Sequence, residues 1–161
     1  WQLTLIGHGK GEAILRRFTN QTGLQDRIHW HGVAPSDEIP GLLARHDLCI
    51  VPSRFDGWGV ATNEAICAGL PVICSDRAAS CELIEHSNAG AIFRSGDHRD
   101  LAQKIEDFLA SRTELNAAKA NAARYRSRLR PSVIADYLSR VLRHCYCDDS
   151  ERPTPPWATQ C

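Results

Sequence analysis

The chain has 161 residues, enough to bury one core of its own, and its 43% hydrophobic and 24% charged residues strike an ordinary globular balance. Nineteen basic against nineteen acidic residues leave no net charge, so nothing global draws the chain to nucleic acid. No apolar run approaches the roughly 20 residues of a membrane span, and no signal peptide is recognisable.

Methionine is absent and Trp1 already stands in a strand-like run, so the chain reads as cut from something longer. Its seven cysteines are an odd number, and Cys49, Cys67 and Cys74 lie in apolar runs expected to be buried. That suits the reduced packing thiols of a cytoplasmic protein better than a disulfide framework.

Residues 2–6 read as a strand, followed by Gly7-His8-Gly9-Lys10-Gly11-Glu12 and a helix carrying Ile14, Leu15 and Phe18. Residues 28–31 form a short strand. Ser36 is placed to cap a helix with Asp37 and Glu38 in its first turn and Ile39, Leu42 and Leu43 inward. Residues 48–51 are apolar throughout, as in a strand buried on both faces. A glycine-punctuated loop leads into a helix of small residues from Val60 to Gly69, then a strand over 71–75. A short helix around 82–85 and a strand over 89–93 follow.

From there the pattern is helical. Leu101, Ile105, Phe108 and Leu109 recur at i, i+4, i+7 and i+8, a second helix covers roughly 113–127, and after Pro131 a stripe runs through Val133, Ile134, Tyr137, Leu138, Val141 and Leu142. Strands alternating with helices predict an α/β fold: a three-layer, Rossmann-like domain over residues 1–146, with a parallel sheet covered by helices on both faces. Residues 147–161 are polar and proline-bearing and read as a tail without a core of its own.

The chemistry concentrates in residues 52–76. Gly57 and Gly59 remove side chains where the backbone enters a helix, so its first N–H groups can face a ligand at the positive end of the helix dipole, an anion site. Asp56 and Glu64 bracket it. Glu64 keeps company with Ala61, Ala65, Ile66, Cys67 and Ala68, and a carboxylate on so apolar a helix needs hydrogen-bond donors, of which a diol is one pair. It could equally complement the helix N-terminus from an exposed face.

Other features carry less. Gly7-x-Gly9-x-Gly11 invites a dinucleotide-binding reading, but the third glycine of that fingerprint falls on Glu12, an acid that would face a pyrophosphate, and a tight turn into a helix accounts for it. His29, His31 and His46 are scattered, and the run 144–148 is a Cys-x-Cys at a helix end, so no metal is expected. Arg124, Arg126, Arg128 and Arg130 alternate along a helix and cannot share one face; they read as a solvated helix end, with a weak contact to anionic lipid as the other reading.

Phe55-Asp56-Gly57-Trp58-Gly59 through Glu64-Ala65-Ile66-Cys67-Ala68-Gly69-Leu70-Pro71-Val72-Ile73 resembles the nucleotide-sugar-dependent glycosyltransferases of the two-Rossmann-domain, or GT-B, type. Within these it is similar to the large retaining group called family 4, or glycosyl transferases group 1. Leu5-Ile6-Gly7-His8-Gly9, Trp30-His31-Gly32-Val33, residues 47–53 and Ser95-Gly96-Asp97 resemble further elements of that family in the same order. The resemblance covers roughly residues 3–145.

The resemblance implies a C-terminal, donor-binding domain whose first strand lies upstream, and an N-terminal acceptor domain as its partner. The substrate would be a nucleoside diphosphate sugar, with no cofactor and no metal. Glu64 would accept hydrogen bonds from the ribose hydroxyls, and the backbone of His31, Gly32 and Val33 would meet the nucleobase. Amides of Gly57, Trp58, Gly59, Val60 and Ala61 would hold the diphosphate. Asp56 stands where the family has its first acid, usually Glu, which contacts a hydroxyl of the transferred sugar. Ala78-Ala79 stands where the family often has two glycines. Transfer would serve polysaccharide or glycolipid biosynthesis in the cytoplasm or at the inner face of the membrane, and this chain alone would show none. The other reading is a nucleotide-sugar-binding module without activity of its own.

Overall fold

The computed structural model describes residues 1–147 and 151–158. They fall into two compact units, Trp1–Ile39 and Pro40–Cys161, each built on parallel strands. Asp148, and with it part of the predicted tail, lies outside the described residues.

In the first unit β1 (Leu3–Ile6) and β2 (Ile28–Gly32) pair in parallel, with α1 (Glu12–Gln21) between them in the chain. Leu5 lies opposite Trp30, but Ile6 meets Gly32, so the ladder passes over His31 and bulges there. Just beyond, the Gly7 N–H donates to the Gly32 carbonyl at 2.6 Å. Residues 7–11 are the tight turn that Glu12 suggested: the Glu12 N–H donates to the Gly9 carbonyl at 3.0 Å, and its carboxylate pairs with Arg16 at 2.8 Å. The Arg16 guanidinium in turn lies 4.4 Å from the centroid of the Trp30 ring. Ile14, Leu15 and Phe18 of α1 are all more than half exposed; Thr19 is the buried residue of this helix.

The start of α2 (Ile39–Leu43) corrects the sequence reading. Ser36, Asp37 and Glu38 belong to a turn, closed by the Glu38 N–H on the Pro35 carbonyl at 3.0 Å, and not to the helix. Pro40 explains the delay, because a residue without an N–H fits a helix only in its first turn.

In the second unit β3 (Cys49–Val51), β4 (Val72–Ser75) and β5 (Gly90–Phe93) lie side by side in that order, all parallel. α3 (Val60–Cys67) links β3 to β4, and α4 (Cys81–Ser87) links β4 to β5. Val72, Ile73, Cys74 and Ser75 are fully buried, so β4 is the centre of the core. β3, expected to be buried on both faces, ends this ladder instead, and only Val51 of its three residues is fully inside. Gly90 begins β5 where a Cβ would stand 1.8 Å from the Val72 carbonyl oxygen.

Three helices complete the unit: α5 (His98–Ala110), α6 (Arg112–Tyr125) and α7 (Pro131–Cys147), with a 3-10 turn at Arg126–Leu129 before α7. Asp97 caps α5 by accepting from the Arg99 and Asp100 N–H groups, and Ser111 caps α6 by accepting from Glu114. α6 packs against α3 and buries Ala118, Ala122 and Tyr125. On α7, Val133, Ile134, Tyr137 and Val141 are half-buried, but Leu138 and Leu142 of the same predicted stripe are more than half exposed. No described helix is long and apolar enough to cross a membrane.

All six described cysteines are free. Cys74 is buried as expected, whereas Cys67, placed inside by its apolar neighbours, is exposed at the end of α3. Burial pushes the Cys49 thiol up to about 11, with Cys74 and Glu64 adding smaller pushes. Since the thiolate is the nucleophile, a raised thiol pKa means little thiolate at pH 8. Iodoacetamide at that pH should therefore modify the exposed Cys145 and Cys147 in the native protein, and Cys49 and Cys74 only after unfolding; mass spectrometry of timed samples checks the order.

Candidate functional site

The loop between β3 and α3 is fixed by backbone bonds to the chain after β4. The Asp56 N–H donates to the Arg77 carbonyl at 3.0 Å, and the Ala79 N–H donates to the Asp56 carbonyl at 3.2 Å, an isolated parallel bridge of Asp56 with Ala78. Two residues on, the Ser80 N–H donates to the Trp58 carbonyl at 2.6 Å. Ala78 is therefore a pairing partner of the loop, and its side chain is fully buried.

Beneath the loop lies a small buried hydroxyl cluster. The Ser80 hydroxyl donates to Thr62 Oγ1 at 2.8 Å, and Cys74 Sγ lies 3.7 Å from Thr62 Oγ1. Thr62, Cys74 and Ser80 are all fully buried. Gly59 closes the cluster from above, with φ +84°, and a Cβ at this position would stand 2.5 Å from Ser80 Oγ. A side chain at 59 thus meets both a left-handed backbone and an occupied space.

Gly59 is also the N-cap of α3, and no side chain caps this helix. Val60 and Ala61 are exposed there, and an N-terminal turn has no intrahelical acceptor for its first N–H groups. The Thr62 N–H returns to the Gly59 carbonyl at 3.0 Å, while the Val60 and Ala61 amides have no acceptor among the described residues and stand at the positive end of the helix dipole. Of the five amides expected to meet a diphosphate, that of Trp58 is engaged within the loop, donating to Asp56 Oδ1 at 3.2 Å.

The two carboxylates differ in their surroundings. Asp56 is half-buried, and one of its oxygens holds the Trp58 amide, a local turn that fixes the loop. Glu64 is half-buried too, but among the described residues its carboxylate makes no hydrogen bond or ion pair. It does not belong to the first turn of α3, outside which the helix dipole has little effect. It follows Val60 by four residues, so the two share one face of the helix, with Glu64 one turn (about 5.4 Å of rise) further along. The opposite face, Thr62, Ala65 and Ile66, is buried. An anion at the N-terminus and a pair of hydroxyls one turn away would both be met on that open face.

Asp56, Gly57, Trp58, Gly59, Val60, Ala61 and Glu64 are thus gathered in the second unit. His31, Gly32 and Val33 stand together in the first, at the end of β2: His31 at the bulge, Gly32 with φ +78°, and Val33 largely exposed. Among the described residues no three His, Cys, Asp or Glu side chains gather as a metal site.

Three participants escaped the sequence reading. Ser80 is the N-cap residue of α4, yet it makes no cap bond and its hydroxyl goes to Thr62 instead. Asn63 accepts the Trp58 Nε1–H at 2.7 Å. Trp157, in the segment taken as a tail, packs edge-on against Trp58 with ring centroids 5.3 Å apart. A lone tryptophan after Pro155-Pro156 in a polar stretch was the available signal for an anchor.

A sequence profile of the family described as glycosyl transferases group 1 matches residues 1–126. The chain is 34% identical over 108 residues to an amylovoran biosynthesis glycosyltransferase of Erwinia amylovora, covering 63% of this chain and 26% of that protein. It is 27% identical over 147 residues to the alpha-D-kanosaminyltransferase of Streptomyces kanamyceticus, covering 88% and 37%. Among solved structures it is similar to Anabaena HepE in complex with UDP, with a TM-score of 0.73 and 26% identity over 86% of this chain and 40% of that one. HepE has also been solved with UDP-glucose. The chain spans about a quarter to two fifths of the length of these proteins.

The Gly59–Ser80 contact predicts non-additive stabilities. Gly59→Ala should cost roughly 1–3 kcal/mol through overlap and a strained φ. Ser80→Ala should cost about 1 kcal/mol through the lost hydroxyl bond. The double variant should lose less than the sum, because the overlapping oxygen is gone. Urea unfolding of the four proteins measures this, and strictly additive losses would show that the contact does not constrain the loop.

Proposed function

This chain belongs to the glycosyl transferases group 1 family, and from that premise we propose that it is the donor-binding half of an enzyme that moves a sugar from a nucleoside diphosphate sugar to an acceptor hydroxyl with retention. The observation that carries the reading is the uncapped N-terminus of α3 with the unpartnered Glu64 carboxylate one turn along the same face.

In this reading the diphosphate rests on the amides of Gly57, Gly59, Val60 and Ala61. Negative charge grows on it as the bond to the sugar breaks, so fixed N–H groups aimed there stabilise the transition state more than the bound donor. Glu64 accepts from both ribose hydroxyls. The Asp56 carboxylate reaches a hydroxyl of the transferred sugar while its other oxygen holds the loop. Amides and basic side chains from elsewhere in the protein carry the diphosphate charge, so the proposal includes neither metal nor cofactor. The acceptor belongs to a separate N-terminal domain. The reaction would take place in the cytoplasm or at the inner face of the membrane, in polysaccharide or glycolipid synthesis. Because HepE holds UDP and UDP-glucose, uridine diphosphate donors are the first to test.

Isothermal titration of the chain with nucleoside diphosphates and their sugars, beside a transfer assay on the full-length protein, tests the assignment. Binding of the donors without transfer by the full-length protein would reduce it to a nucleotide-sugar-binding module. Asp56→Asn sharpens the test, because Asn keeps one oxygen to accept from Trp58 while the sugar-facing oxygen becomes an uncharged NH2. Its affinity for UDP should stay near wild type, while its affinity for the matching UDP-sugar should fall by about 1–2 kcal/mol. Equal affinities for the sugar nucleotide in both proteins would remove Asp56 from the sugar site.

A further inference from the structure

Residues 155–158 form a turn. The Ala158 N–H donates to the Pro155 carbonyl at 3.0 Å, with Pro156 and Trp157 between them. Proline at that second position is already set to the φ such a turn requires, so little freedom is lost in forming it. Contacts with Tyr125, Tyr137 and Trp58 seat the turn. The buried Tyr125 hydroxyl donates to the Trp157 carbonyl. The Trp157 ring packs edge-on against Tyr137 of α7 at 5.4 Å between centroids, and against Trp58 at 5.3 Å.

Trp58 is the middle residue of the Gly57–Gly59 stretch, and each of its parts is held. Its N–H donates to Asp56, its carbonyl accepts from Ser80, and its Nε1–H donates to Asn63 on α3. Those bonds fix the backbone and one edge of the indole. Trp157 packs against the indole from a different part of the chain. The two glycines that flank Trp58 have no side chains of their own to hold the backbone in place, so the indole is the loop's only side-chain anchor between Asp56 and Val60.

We propose that Trp157 is a positioning residue for the candidate donor site: the C-terminal segment returns as a strap whose indole pins Trp58 and thereby keeps the Gly57–Gly59 backbone in the conformation that opens the α3 amides. This rests on the functional reading above for its ligand, but the contact itself can be tested without one. Trp157 acts through Trp58.

The test compares wild type, Trp157→Ala, Trp157→Phe and Phe108→Leu, the last a loosening of α5, which packs on β4, β5 and α6. Hydrogen exchange of the Trp58 Nε1–H, read by NMR, reports the pin directly. Titration with UDP reports the loop. Trp157→Ala should speed exchange at Trp58 and weaken UDP binding roughly three- to tenfold, the size expected for losing one aromatic pair. Trp157→Phe should restore most of both, and Phe108→Leu should lower the urea midpoint while leaving both unchanged. Unaltered exchange at Trp58 in Trp157→Ala would overturn the proposal, as would tighter UDP binding, which would make the strap an obstacle. Should Trp157→Ala not fold, Trp157→Leu takes its place with the same expected outcomes. If wild type binds no nucleoside diphosphate, the functional reading fails, yet faster exchange in Trp157→Ala would still establish the pin.

Discussion

Ser80 sits under the N-terminus of α3 and holds it by two bonds at once. Its N–H fixes the Trp58 carbonyl, its hydroxyl fixes Thr62, and its Oγ fills the space where a side chain at residue 59 would lie. The bare entry into α3 follows from that contact. A glycine must stand at 59, the turn into α3 must be tight, and the amides of Val60 and Ala61 have no side chain to cap them. Being fully buried, the Ser80–Thr62–Cys74 cluster exchanges no bonds with water, which makes it a stiff foundation for a polar site at the surface.

On that foundation two acids acquire different tasks. Asp56 is part of the loop, paired through its backbone to Arg77 and Ala79 and through its side chain to Trp58. Glu64 is held only by the helix that carries it. A half-buried carboxylate with no partner is an unfavourable arrangement in an isolated domain, and it becomes favourable when a ligand brings donors to it. The same logic applies to the uncapped amides one turn earlier, so acceptor and donors ask for one molecule with an anionic group and neighbouring hydroxyls.

Much of this was legible in the sequence because the signals were local. The run Val72-Ile73-Cys74 announced a buried strand, and Gly57 and Gly59 announced a bare helix entry. The failures were tertiary. Ser36 looked like a cap, but Pro40 sets the start of α2 at Ile39. Cys67 and Leu142 fit apolar patterns, yet periodicity does not say whether a neighbour covers the face, and here they are exposed. Ser80 and Trp157 matter through partners 18 and 99 positions away, Thr62 and Trp58, and no spacing rule encodes such pairings.

The central claim is that Glu64 receives the ribose hydroxyls of a nucleotide whose diphosphate lies on the α3 N-terminus. A cycle of two proteins and two ligands tests it most directly: wild type and Glu64→Gln, each titrated with UDP and with 2′,3′-dideoxy-UDP. The account predicts that removing the hydroxyls costs wild type about 1–3 kcal/mol and costs Glu64→Gln much less, with both proteins equally stable in urea. The same hydroxyl penalty in both proteins would contradict it and leave Glu64 without a role in the site.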